Sequence, residues 1–146
     1  MKIKFLLISM LLANMAVAQY APAGDKIKTR WAEQVAPENA LPEYPRPMMV
    51  RPVWKNLNGL WQYAITAKGE KEPQKYEGDI LVPFCIESSL SGVQKEVGPD
   101  NALWYQKTFA VPAHWKNGRI LLHFGAVDWM DDLWGNDINV ASHTGG

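Results

Sequence analysis

Residues 80–125 read ILVPFCIESSLSGVQKEVGPDNALWYQKTFAVPAHWKNGRILLHFG, a succession of short apolar and aromatic runs separated by turn residues. No stretch of it sustains the 3.6-residue period of an amphipathic helix, and several runs alternate with the two-residue period of a strand. Just upstream, residues 60–65 place Trp61, Tyr63 and Ile65 on one face. A strand over 79–84 is broken at Pro83. Residues 103–111 align Leu103, Tyr105, Phe109 and Val111, with Lys107 the exception between them. Residues 119–124 send Ile120, Leu122 and Phe124 one way and Leu121 and His123 the other. Residues 127–134 read as another strand, Asn136-Asp137 as a tight turn, and 138–140 as the start of a return strand. Many short strands with turn signals between them predict an all-β sandwich. The last hairpin is only begun when the sequence reaches Gly146, so the sandwich is expected to be incomplete at its C-terminal end.

The first 18 residues have the layout of a secretory signal peptide. Lys2 and Lys4 form a basic start, residues 5–12 (FLLISMLL) an apolar middle, and Ala16-Val17-Ala18 a small-residue cleavage site. The apolar run is shorter than the ~20 residues that a membrane-spanning helix needs. Export to the periplasm or the extracellular space is therefore expected, with the mature chain starting at Gln19. Residues 19–53 are rich in proline (Pro22, Pro37, Pro42, Pro45, Pro47, Pro52), which excludes a long helix or a central strand. Trp31, Tyr44 and Met48 within them suggest a segment packed on the sandwich of residues 54–146, not a free leader.

Charge excludes some partners. The 15 basic and 15 acidic residues balance, and removal of the signal peptide takes away two lysines, leaving the mature chain slightly acidic. With no basic block, nucleic acid and anionic membrane surfaces are poor candidates. Cys85 is the single cysteine, so no intramolecular disulfide is possible, and its apolar neighbours suggest a buried, inert thiol. No His or Cys cluster has metal-ligand spacing, and no glycine-rich phosphate loop is present. No metal or cofactor is expected.

Six or more short motifs, taken together and in order, resemble the N-terminal sugar-binding domain of glycoside hydrolase family 2. They are Leu57-Asn58-Gly59-Leu60-Trp61; Val82-Pro83-Phe84 with Glu87-Ser88 and Leu90-Ser91-Gly92; Leu103-Trp104-Tyr105; Phe109 with Val111-Pro112 and Trp115; residues 121–128 (LLHFGAVD); and Asn136 with His143-Thr144-Gly145-Gly146. The resemblance covers roughly residues 30–146. It implies a jelly-roll-like, galactose-binding-like β-sandwich and a parent enzyme that is a retaining exo-β-glycosidase, with one carboxylate as acid/base and another as nucleophile. In that family both glutamates lie in a TIM barrel, a fold of ~250 residues, so no catalytic residue can be carried onto this sequence. Gly135 and Ala141 depart from the family pattern in the final hairpin.

Among residues that could carry chemistry, Asp128, Asp131, Asp132 and Asp137 form an acidic cluster. Strand alternation splits Asp131 from Asp128 and Asp132, which favours a solvated face over a calcium or acid/base site. Seven tryptophans invite a sugar-stacking reading. Trp61, Trp104 and Trp115 have apolar neighbours and suit a core, which leaves Trp129 and Trp134, flanking the acidic cluster, as candidates for substrate contact. His143 joins them because relatives approach the active-site mouth near that position. The expected reading is thus a fragment of an exported family 2 enzyme, inactive by itself, whose partner is carbohydrate. A free-standing carbohydrate-binding or interaction module is the alternative. A remnant that self-associates through unpaired strand edges is the third possibility.

Overall fold

The computed structural model describes residues 20–145. The signal peptide expected over 1–18 lies outside these residues, as do Gln19 and Gly146. Regular structure among the described residues consists of five β-strands and four short 3₁₀ turns, without an α-helix. The fold is all-β, as the alternation predicts. No helix among these residues is long and apolar enough to cross a membrane. The chain divides into two compact units between Thr108 and Phe109.

The first unit is built on β1 (Gly59–Ala67), the central strand of an antiparallel sheet with order β2-β1-β3. Its neighbours are β2 (Gly78–Val82) and β3 (Asn101–Gln106). The register sets Trp61 opposite Ile80 and Gly59 opposite Val82 on one side, and Tyr63 opposite Tyr105 and Ile65 opposite Leu103 on the other. Because residues on paired strands share a face, Trp61, Tyr63, Ile65, Ile80, Val82 and Leu103 lie together. Tyr63 and Ile80, joined by Ile86, form the buried cluster, and Trp61, Ile65, Val82, Leu103, Val93 and Val97 pack against it. Ile80, Leu81 and Ile86 are almost wholly removed from water, and each such side chain is worth ~1.5–3 kcal/mol of transfer free energy. The indole of Trp61 satisfies its one donor on the Leu57 carbonyl at 2.8 Å.

A buried hydroxyl organises the loop after β2. Ser91 is fully buried. Its Oγ donates to the Ser88 carbonyl at 2.7 Å and accepts the amides of Val93 (3.0 Å) and Gln94 (3.3 Å). Ser88 caps the same turn, accepting the Ser91 amide on its own Oγ. Gly92 then turns the chain at φ 80°, where a Cβ would sit 3.3 Å from the Tyr20 ring. Tyr20 donates its hydroxyl to Leu90 O at 2.7 Å, and the Ala23 amide donates to Ser89 O at 2.8 Å. Further along the proline-rich stretch, Asn58 donates to Ala40 O at 3.0 Å and Asn56 to Leu41 O at 2.9 Å. These bonds join residues 20–41 to the sheet and its loops.

One ion pair extends the β1–β2 ladder. Beyond its last paired residue, the Glu77 carboxylate accepts the Ile65 amide at 2.8 Å and the Lys95 ammonium at 2.5 Å. Lys95 also lies over the Tyr63 ring, 5.2 Å from its centroid. The hydrogen bond from Lys95, and after it that from Ile65, holds the Glu77 carboxyl below its ordinary range. The same carboxylate, with Tyr63 second, raises the Lys95 ammonium.

The second unit contains β4 (Met130–Gly135) and β5 (Ile138–Thr144), an antiparallel hairpin. Asn136 and Asp137 turn the chain with φ 49° and 65°, the left-handed pair that a two-residue hairpin loop requires. A register shift falls between Leu133 and Trp134.

Several strand expectations need correction. Residues 119–124 form no strand, and Ile120, Leu121, Leu122 and Phe124 are exposed on both alternating sides. Alternation gives a segment the capacity to pair, but a strand needs a partner for its backbone groups, and none lies beside this one among the described residues. The strand expected over 103–111 ends at Gln106, opposite Gln62. The one expected over 127–134 begins only at Met130. Cys85, expected from its apolar neighbours to be buried, is exposed: it lies past the end of β2 at Val82, and of that stretch Ile86 is the residue that turns into the core.

Replacing Ser91 by alanine leaves the half-buried amides of Val93 and Gln94 without an acceptor. It should lower unfolding free energy by ~1–3 kcal/mol, measured by denaturant titration with Ser88→Ala as the milder comparison. For Glu77 the folded carboxyl titrates below its unfolded value. Its contribution is therefore complete above the unfolded pKa and lost as pH falls through the folded one. Thermal midpoints taken from about pH 7 to about pH 3 should fall less steeply in Glu77→Gln than in the parent. Equal slopes would show that the pair contributes nothing to stability.

Candidate functional site

The three residues singled out for substrate contact lie on or beside the β4–β5 hairpin, at its two ends. Trp129 immediately precedes β4 and is 66% exposed, its carbonyl accepting the Gly145 amide at 2.7 Å. His143 is close to that end, facing Asp131 across the ladder, with Nδ1 3.2 Å from the Asp131 carboxylate. Trp134 sits next to the turn, opposite Asn139 and 55% exposed. The two tryptophans are five positions apart, roughly 16 Å at a rise of ~3.3 Å per residue. They therefore do not converge on a single pyranose ring. The hairpin brings Trp129 and His143 to one end and leaves Trp134 at the other.

The acidic residues of β4 also diverge. Asp131 meets His143, while Asp132 accepts the hydroxyl of Ser142 on the neighbouring cross-strand position. Successive strand residues face opposite sides, so the two carboxylates cannot share one bond or one ion. Among the described residues no group of three or more His, Cys, Asp or Glu side chains could hold a metal. Of the other aromatic residues, Trp61 packs on the core, and Trp104 is half-buried with its indole donating to Thr66 Oγ1 at 2.9 Å. Trp115 is half-buried and His123 exposed. Glu87 offers its backbone carbonyl to Lys26 at 3.1 Å, and the turn that follows it is capped by Ser88.

Concave surface occurs in the first unit, beside the polar segment that joins β1 to β2. The β1–β2 connection, residues 68–77, overhangs the sheet and encloses a groove of about 470 Å³ with Gln62 and Gln106 as its floor. Glu72, Pro73, Gln74 and Tyr76 line the rest. The Tyr76 hydroxyl donates to the Glu72 carboxylate at 3.1 Å. Burial first, and then that carboxylate, pushes the phenol up to about 12, so it remains a donor throughout the neutral range. In the sequence the only signal was Gln62, polar within an apolar alternating run. Its pairing with Gln106 depends on a register that no local pattern reveals.

No protein-family model matches the sequence. A β-glucuronidase from Paenibacillus borealis is 26% identical over 109 residues, covering 70% of this chain and 18% of the relative. The chain thus spans about a fifth of the length of the protein it matches. The similarity is distant and supports a glycoside hydrolase relationship.

At the hairpin, the Asp131–His143 pair is solvent-exposed and should add little. Asp131→Asn is expected to change unfolding free energy by less than ~0.5 kcal/mol, checked by thermal melts of the two proteins side by side.

Proposed function

We propose that these residues are the N-terminal, sugar-binding part of an exported glycoside hydrolase family 2 protein, folded as a jelly-roll-like β-sandwich. The observation that carries the reading is the similarity to a β-glucuronidase over 70% of the chain. Its weight comes from agreement with the ordered motifs between Leu57 and His143 and with the all-β architecture. The basic, apolar and small-residue order of residues 1–18 supports export.

The role of this part is carbohydrate contact. Hydrolysis by the retaining route needs two carboxyl groups ~5–5.5 Å apart across the scissile bond, and the acidic residues of β4 face opposite ways. Purified chain incubated with nitrophenyl β-glucuronide and nitrophenyl β-galactoside is expected to release no nitrophenol. Reproducible turnover abolished by substitution of a carboxylate in this chain would refute the reading.

Self-association accompanies it. Ile120, Leu121, Leu122, Phe124, Met130 and Ile138 are all exposed, and β4 and β5 each leave an outer edge unpaired among the described residues. Such surfaces favour association. Sedimentation velocity should show average mass rising with concentration and a smaller rise for Ile120→Lys/Leu122→Lys. A monomer over the whole range would exclude this behaviour.

A further inference from the structure

We propose that the groove between the β1–β2 connection and the sheet binds a neutral saccharide and discriminates against uronic acids. The inference rests on the carbohydrate reading above and gives it a location that neither the exposed tryptophans nor the similarity supplies. Its floor is fixed by strand register. Gln62 in β1 is the direct partner of Gln106 in β3 and, on its other side, of Asp79 in β2. All three stand on the face opposite Tyr63 and Ile80, because they occupy the alternate positions of their strands. A row of two amides and a carboxylate therefore crosses the whole three-stranded sheet on the side away from its apolar cluster.

The chemistry of the lining suits vicinal hydroxyls. Each amide offers paired donors and an acceptor in one plane, and Glu72 offers a further acceptor beside the Tyr76 hydroxyl. Pro73 and the Tyr76 ring add apolar edges for sugar C–H groups. The volume of about 470 Å³ falls within the ~300–1,000 Å³ of small-molecule sites.

Charge narrows the class. Glu72 is the one ionisable carboxylate in the lining, and no cationic residue belongs to it. A second hollow of about 270 Å³ continues from Gln62 and Gln106 toward Asp79 and Lys107. Lys107 Nζ donates there to the Leu60 carbonyl at 2.6 Å, and its charge is matched by Asp79 in the same lining. The two linings together hold two carboxylates against one ammonium, so a uronate would meet net negative charge, whereas a neutral ring meets donors and acceptors without that cost.

Saturation-transfer difference NMR of the full chain with lactose, mannobiose, xylobiose and glucuronic acid tests the assignment, and it tolerates self-association. At least one neutral disaccharide should give a signal at millimolar ligand, and glucuronic acid should neither give one nor compete. Gln62→Leu/Gln106→Leu should weaken binding at least ~tenfold. Gln74→Ala, in the connection and outside the sheet, should weaken it without altering the thermal midpoint. Trp129→Ala/Trp134→Ala should leave it unchanged. Signal lost in the tryptophan variant but kept in the glutamine variant would overturn the groove while leaving the carbohydrate reading intact. Preference for glucuronic acid would overturn the charge argument and with it the proposal. Silence with every saccharide would remove both.

Discussion

The first unit depends on burial of one face of β1. Trp61, Tyr63 and Ile65 share that face by strand alternation, and the antiparallel register brings Ile80, Val82 and Leu103 beside them. Ile86, from the loop after β2, closes the cluster. That loop can reach the cluster only because the buried Ser91 hydroxyl supplies its amides with an acceptor. Apolar burial and polar satisfaction thus act on the same few residues. Loss of either would expose the other, since a collapsed loop leaves amides unpaired and an open loop leaves Ile86 wet.

The second unit is built differently. Its hairpin has a well-formed turn and a ladder shifted once, between Leu133 and Trp134, but no buried residue, and Trp129, Met130, Trp134, Ile138 and Val140 are more than half exposed. A two-stranded hairpin gains hydrogen bonds without removing much apolar surface from water, and is marginal unless something covers it. The contrast between the units explains why the exposed polar row and the exposed apolar residues fall in different places. The sheet of the first unit packs its cluster of Tyr63, Ile80 and Ile86 on one face; on the other, where Leu81 and Ala64 are also buried, it exposes two amides and a carboxylate. The hairpin of the second has no core, so its apolar residues face outward.

Much of the strand content was legible because alternation depends on neighbours in sequence. Residues 60–65 and 79–82 are strands where the pattern puts them, and Asn136-Asp137 turns the last hairpin. Residues 119–124 alternate just as well and form no strand, since no backbone partner lies beside them among the described residues. Cys85 has apolar neighbours in sequence and is nonetheless exposed, because composition does not say which residue of a loop turns inward. The candidate contacts Trp129, Trp134 and His143 were chosen for residue type and for family position, and neither reports the span between hairpin ends.

By itself, the sequence determined the all-β character, the positions of most turns and a distant glycoside hydrolase relationship. Each of these is a local or ordered pattern that survives without knowledge of what touches what. Only tertiary structure decided that Gln62 stands between Asp79 and Gln106, that residues 68–77 roof them, and that the acidic residues of β4 face apart. Register and chain return bring together residues more than 40 positions apart. The free energy that selects such a pairing comes from burial on the opposite face of the sheet, not from the polar residues that the pairing assembles.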